Sequence, residues 1–324
     1  MSALLEVSDL NVWFDLDGRA EVHAVRGVDF TVDEGERFAL VGESGCGKTT
    51  AILALMGLLP PNASVAGRVL LDGEDVLAHG EESARPHRWN DLAMVFQGAM
   101  NAFNPVRRIG EQIAEPMELH GIAEGSAAMR RVEVLLETVG IPAARASRYP
   151  HEFSGGMRQR AAIAMALACS PRVLLADEPT TALDVMVQAQ ILELLHRLTE
   201  DLGLALVLVT HDLPVVAQLC ERAAVMYAGE IVESGTTDAL YHDPRHPYTR
   251  LLFAATPDVE GERDVASIPG APPRLDRPIP GCPFAPRCDR AFEPCEPMKP
   301  RRLEVAPGHV AACHLNDPAL AKAS

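Results

Sequence analysis

Nine consecutive residues, Gly42-Glu43-Ser44-Gly45-Cys46-Gly47-Lys48-Thr49-Thr50, have the types and spacing of a phosphate-binding loop, G-x-x-x-x-G-K-[ST]. Glycines let the backbone curl until successive N–H groups point at one anion, and a helix that starts there adds partial positive charge. Lys48 is then placed to reach the β and γ phosphates of a nucleotide, and the Thr49 hydroxyl to hold Mg2+. A second pair, Asp177-Glu178, ends the apolar run Val173-Leu174-Leu175-Ala176. Alone, such a pair is often a solvated turn. Beside a phosphate loop, Asp177 becomes the Mg2+ partner, directly or through water, and Glu178 the carboxylate that polarises the attacking water. Phosphoryl transfer asks for positioning and charge stabilisation rather than covalent chemistry, so these few groups suffice. A third group is Cys282, Cys288, Cys295 and Cys313, four of the chain's seven cysteines. In a reducing compartment their crowding favours a metal over disulfides.

These side chains need elements to carry them. The apolar run Arg37 to Val41 predicts a buried strand before the loop, and Thr50 to Met56 a helix after it. Alternation between Leu4 and Val32, as in Val28-Asp29-Phe30-Thr31-Val32, predicts antiparallel strands. Residues 92–96 read as a strand ending at Gln97. From about 98 to 170 there are no strand-like runs, but helical stretches such as Met129 to Val139 and Gly156 to Ala168. Strand 173–176, helix 185–202, strand 205–209 and strand 223–227 complete the pattern. Such alternation predicts an α/β fold with a mainly parallel core sheet, an antiparallel β subdomain and an inserted helical subdomain at about 98–170, all within a nucleotide-binding domain spanning 1–255. After residue 255 prolines at 269, 272, 273, 278, 280, 283 and 286 break regular structure. Residues 256–324 are therefore expected to form a small irregular module that needs a cross-link to hold its shape.

The 324 residues carry 29 basic and 45 acidic side chains, a net charge of −16. An acidic chain is a poor partner for nucleic acid, which is bound by neutralising its phosphates. The first residues show neither the basic nor the apolar part of a signal peptide, and no apolar run approaches the 18 or so residues that span a bilayer.

Between the two phosphate motifs lies Phe153-Ser154-Gly155-Gly156-Met157-Arg158-Gln159-Arg160. It resembles the signature sequence of ATP-binding cassette (ABC) ATPases, and other cassette elements follow in order. Gln97 stands where the Q-loop glutamine does, Asp184 in Ala182-Leu183-Asp184 where the D-loop does, and His211 where the switch histidine does. Phe14 occupies the place of the aromatic that stacks on adenine, although neighbouring Trp13 could serve instead and either ring could equally be core. The resemblance implies that two cassettes form a head-to-tail sandwich with ATP between one chain's phosphate loop and the other's signature. Ser154, Gly155 and Gly156 would then bind the γ-phosphate in trans, with Gln159 and Asp184 in the same nucleotide-facing set. Glu178 would be the general base, His211 would hold the γ-phosphate and water, and Gln97 would contact Mg2+ and relay the nucleotide state to a membrane partner.

The tail resembles one branch of that family, the oligopeptide/dipeptide importer ATPases. The segments that carry this are His246-Pro247-Tyr248-Thr249-Arg250-Leu251-Leu252, Gly281-Cys282-Pro283-Phe284-Ala285-Pro286-Arg287-Cys288 and Gly308-His309-Val310-Ala311-Ala312-Cys313. One departure is local: Gly98-Ala99-Met100-Asn101 stands where relatives usually carry an acidic residue and a proline. The branch implies an ATPase at the cytoplasmic face of the cell membrane, paired with a second ATPase of the same or a sister chain. It would dock on two membrane-spanning permease subunits fed by an extracytoplasmic binding protein. Di- or oligopeptides are the expected solute; nickel complexes or sugars are alternatives, and a soluble ABC ATPase of translation or DNA repair is a more distant one. Some relatives with this cysteine pattern carry a [4Fe–4S] cluster, expected here on Cys282, Cys288, Cys295 and Cys313. Intervening stretches of 5, 6 and 17 residues do not match the close pairs of structural zinc sites, though zinc and unligated thiols remain alternatives.

Overall fold

The computed structural model of the chain describes residues 3–16, 18, 21–98, 102–255 and 268–320. In chain order its strands and α-helices are β1 Leu5–Asp15, β2 Glu21–Val32, β3 Arg37–Val41, α1 Lys48–Leu55, β4 Ala63–Leu71, β5 Glu74–Asp75, α2 Glu81–Ala84, β6 Leu92–Val95, α3 Ile109–Leu119, α4 Gly125–Thr138 and α5 Gly155–Ala166. There follow β7 Val173–Asp177, α6 Val185–Leu202, β8 Ala205–Thr210, α7 Leu213–Leu219, β9 Arg222–Tyr227, β10 Glu230–Thr236, α8 Thr237–His242, α9 Pro247–Ala254, β11 Leu303–Ala306 and β12 His309–Ala311. The chain divides into two compact units, one drawn from 1–32, 37–80 and 209–324, the other from 33–36 and 81–208.

In the first unit, the expected antiparallel strands form a four-stranded sheet in the order β2-β1-β4-β5. Its inward residues Leu5, Val7, Val25, Val28 and Val69 are at most 1% exposed, which fixes the register of each strand. Elsewhere in this unit, β3 runs parallel to β9, with Val41 beside Val225. β9 pairs antiparallel with β10, and β10 with β12, Glu233 opposite Ala311. β11 closes the edge. The tail is therefore less irregular than its prolines suggest: its last strands extend a sheet that begins under the phosphate loop.

In the second unit, β6 and β7 run parallel, Val95 beside Ala176. All five residues of β7 are buried, the continuous apolar run of a strand covered on both faces. Helices start where side chains cap them. Ser154 Oγ accepts from the Met157 N–H at the start of α5, and Asp184 accepts from the Val187 N–H at the start of α6. Gly203, in the left-handed conformation (φ 63°), ends α6. Helix α3 is not among the expected helices; it contains Pro116, yet buries Ile109, Ile113 and Met117 on one face, and that apolar stripe outweighs the proline. Among the described residues no helix is long and apolar enough to cross a membrane.

Candidate nucleotide site

The phosphate loop joins β3 to α1 in the first unit, two residues of helix earlier than the sequence predicts. Its shape depends on backbone that only glycine tolerates. Gly42 (φ 154°) passes so close to β9 that a Cβ there would lie 2.1 Å from the Met226 carbonyl oxygen. At Gly47 (φ 106°) a Cβ would meet the Ala24 carbonyl oxygen at 2.5 Å. Gly45 is also at positive φ, and glycines in such conformations give the kind of tightly curled backbone that can cradle an anion.

Lys48 lies inside this curl, 5% exposed. Its ammonium donates to the carbonyls of Gly42 at 2.7 Å and Glu43 at 3.0 Å, with Cys46 Sγ at 3.8 Å. Burial pushes the Cys46 thiol up, so it is a neutral packing group rather than a nucleophile. Ser44, Gly45 and Thr49 face solvent, and Thr50 is half-buried. Strain-prone glycines, a buried cation and an exposed hydroxyl next to it make a donor set that fits a Mg2+-bound triphosphate.

The second unit gathers the candidate water-activating groups. Asp177 ends β7 and is 1% exposed. Glu178 follows with φ 45°, a conformation that costs a non-glycine residue energy. Gln97 Nε2 and Thr181 Oγ1 each donate to Glu178 Oε2 at 2.9 Å, so glutamine and candidate base are in direct contact. Ala99, Met100 and Asn101, which carry the departure after Gln97, lie outside the described residues.

The remaining predicted residues have local duties that sequence alone does not reveal. Ser154 is exposed and Gly156 stands where a Cβ would press within 2.7 Å of Val187, so the glycine lets α5 approach the first turn of α6. Asp184 spends its carboxylate on capping α6. Gln159 is 3% exposed, on the inner side of α5. In the first unit, His211 is exposed at the end of β8, just before the Asp212 cap of α7. Trp13 stacks on His23 with ring centroids 4.6 Å apart, while Phe14 points to the other face of β1; both are half-buried.

Residues 25–181 match the ABC transporter family, and residues 232–295 match the C-terminal region of oligopeptide/dipeptide transporters. The chain belongs to the ABC transporter family. It is 46% identical over 316 residues to a probable peptide ABC transporter ATP-binding protein, y4tR, of Sinorhizobium fredii, covering 96% of this chain and 94% of the relative. It is 45% identical to the dipeptide transport ATP-binding protein DppD of Bacillus subtilis, covering 98% of this chain and 96% of that one. Among solved structures, a dimeric ATP-binding cassette in a post-hydrolysis state with ADP and Pi superimposes with a TM-score of 0.64 at 29% identity, over 72% of this chain and 98% of that one. The cassette's ATP and Mg2+ requirement follows from this membership.

The cysteines behave differently from expectation. All seven are free, and among the described residues no three His, Cys, Asp or Glu side chains stand in the arrangement of a metal site. The cysteine segment is held by backbone contacts. The Cys282 N–H donates to the Cys295 carbonyl at 2.8 Å, and Gly281 allows this approach, since a Cβ there would sit 2.1 Å from the Glu296 carbonyl oxygen. Burial pushes the thiols of Cys282 and Cys313 up to about 11 and about 12, with smaller contributions from the other cysteines nearby. Buried thiols of this kind give up their protons only to a bound cation.

Two residues that sequence reasoning gave no role reach the phosphate loop. Arg287 pairs with the Glu43 carboxylate, and the Tyr248 hydroxyl accepts from the Glu43 N–H. The only sequence signal was their place in segments typical of the transporter branch.

Proposed function

We propose that this chain is the ATP-hydrolysing subunit of a di- or oligopeptide importer. In this reading it acts in a head-to-tail pair with a second cassette, on the cytoplasmic face of two permease subunits fed by an extracytoplasmic binding protein. The observation that carries it is the buried Lys48 inside a glycine-built phosphate loop, in a chain whose full length follows peptide-transporter ATPases. The loop N–H groups and Lys48 hold the triphosphate; Phe14 stacks on adenine. Glu178, oriented by Gln97 and Thr181, takes the proton of the attacking water as its oxygen bonds to the γ-phosphorus and the bond from that phosphorus to the β–γ bridging oxygen breaks, leaving ADP and phosphate. His211 holds that water, and Ser154, Gly155 and Gly156 of the facing cassette close over the γ-phosphate. The residues assigned to Mg2+ are Thr49, Asp177 and Gln97, and the ion offsets the charge of the phosphate oxygens.

The same reading assigns Cys282, Cys288, Cys295 and Cys313 to one structural [4Fe–4S] cluster, with zinc as the alternative. Four free thiols in one module, each within electrostatic reach of others, are the donor chemistry such a cluster takes. Iron and acid-labile sulfide analysis of anaerobically purified protein tests it; stoichiometric zinc would replace it.

The whole reading is tested by reconstituting the transporter in vesicles with its binding protein and labelled peptide. Peptide should accumulate only when ATP is present on the cassette side. ATP-independent accumulation, or ATP-dependent uptake of another solute only, would overturn it.

A further inference from the structure

Glu43, the second residue of the phosphate loop, is gripped at every polar group it has. Its carbonyl accepts from Lys48 at 3.0 Å. Its N–H donates to the Tyr248 hydroxyl at 2.9 Å. Its carboxylate receives a two-pronged pair from Arg287, Nη1 to Oε2 at 2.7 Å and Nη2 to Oε1 at 3.0 Å. When a triphosphate enters, the Lys48 ammonium must turn from loop carbonyls to phosphate oxygens. Apart from the local Cys46 N–H, which donates to the Glu43 carbonyl at 3.3 Å, what then still holds Glu43 comes from residues 205 and 244 positions away.

Arg287 is built in, not draped on the surface. Its side chain is 4% exposed. Nη1 also donates to the Tyr227 hydroxyl at 3.2 Å, Nε donates to the Pro269 carbonyl at 2.7 Å, and the guanidinium lies over the rings of Tyr227 and Phe284 at 5.7 and 5.8 Å. Tyr227, Tyr248 and Phe284 pack against one another with centroids 4.6 to 5.3 Å apart, so the two grips on Glu43 share one aromatic floor. A forked pair of this kind, with its guanidinium buried and its carboxylate half-buried, is directional, and it leaves an uncompensated charge behind if either partner is lost.

We propose that Arg287 and Tyr248 are positioning residues of the ATPase reaction. They fix the first turn of the phosphate loop and neutralise a carboxylate that would otherwise stand beside a polyanion. The inference rests on reading residues 42–50 as the ATP phosphate site. It also gives the tail a duty at that site: Arg287 sits between Cys282 and Cys288, so whatever orders that segment sets the grip on Glu43.

The test is the KM for ATP and kcat of the assembled transporter carrying variants of the full chain. Arg287→Ala should raise KM about tenfold and leave kcat within about twofold, the mark of lost binding that is uniform along the reaction. Tyr248→Phe, which keeps the ring and loses only the hydroxyl, should raise KM roughly threefold. Adding Glu43→Gln to Arg287→Ala should bring KM back to within about threefold of the parent, because the uncompensated carboxylate is gone. Partial misfolding lowers apparent kcat and leaves KM in place, so it cannot imitate this pattern. If both single variants keep the parental KM while Lys48→Ala abolishes ATP binding, the positioning role is wrong and the phosphate site stands. A fall in kcat alone, or a double variant as weak as Arg287→Ala, also overturns the role. If Lys48→Ala binds ATP normally, the phosphate-site reading itself fails.

Discussion

The phosphate loop and the cysteine segment, both in the first unit, reach order by opposite routes. The loop's curl is set mainly by neighbours in sequence: Gly42, Gly45 and Gly47 take positive-φ conformations that favour glycine, and Lys48 fills the curl they make, with Glu43 tied in addition to distant residues. The cysteine segment is made by partners far along the chain: Arg287 on Glu43, β12 on β10, and His309 on the buried carboxylate of Glu233 at 2.7 Å. A site encoded in nine consecutive residues carries its own geometry. A site encoded in four cysteines across 32 positions depends on the rest of the fold, which brings the segment together through partners far along the chain.

The sharpest way to break this comparison is Lys48→Ala. Removing the one cation inside the curl should lower ATP affinity a hundredfold or more, measured by equilibrium binding to the full chain. Unchanged affinity would put the phosphate site elsewhere. Next is Gly42→Ala, whose methyl would meet the Met226 carbonyl. It should cost about 2–3 kcal/mol in thermal unfolding, against about 1 kcal/mol for Gly45→Ala, which meets no atom within 4 Å. Equal losses would mean that close approach to β9 does not shape the loop.

For the tail, pH is the probe. His246 is 1% exposed, its Nδ1 accepts from the Tyr248 N–H, and its Nε2 has no hydrogen-bond partner among the described residues. Burial lowers its pKa to about 3 from 6.5. The unfolded chain therefore takes up a proton that the folded chain refuses. Stability is full above pH 6.5 and falls as pH drops toward 3, by about 2 kcal/mol at pH 5. His246→Asn should flatten that dependence; an unchanged pH profile would show that the ring is not held neutral. The smallest expected effect is Cys288→Ser. Iron content should fall, and the ATP KM should rise a few-fold at constant kcat through its neighbour Arg287. A loss of turnover larger than that of Arg287→Ala would mean that the tail acts on the reaction by another route.

The strand before the loop, the strand ending at Asp177, and the phosphate loop itself were legible because each is a local pattern of a few residues. The transporter branch was legible because its motifs recur in order along the chain. The contact of Gln97 with Glu178, the grip of Arg287 on Glu43 and the pairing of β12 with β10 were not. Each joins residues tens to hundreds of positions apart, and nothing in either partner's immediate neighbourhood names the other. The tail's ties to β10 and to the phosphate loop were equally hidden, because they too join segments far apart in the chain. The duties of Gly156 and Asp184 in packing and capping α6 were hidden because their signature position had already supplied another reason for them.

The most direct measurement is single-turnover hydrolysis of ATP by the assembled transporter carrying Glu178→Gln. The change keeps size and loses the carboxylate. The account predicts that ATP binds with near-parental affinity, that hydrolysis falls on the order of a hundredfold or more, and that the cassettes are trapped as a closed, ATP-holding pair. Near-parental turnover would contradict it: Glu178, for all its contact with Gln97 and Thr181, would not be the base.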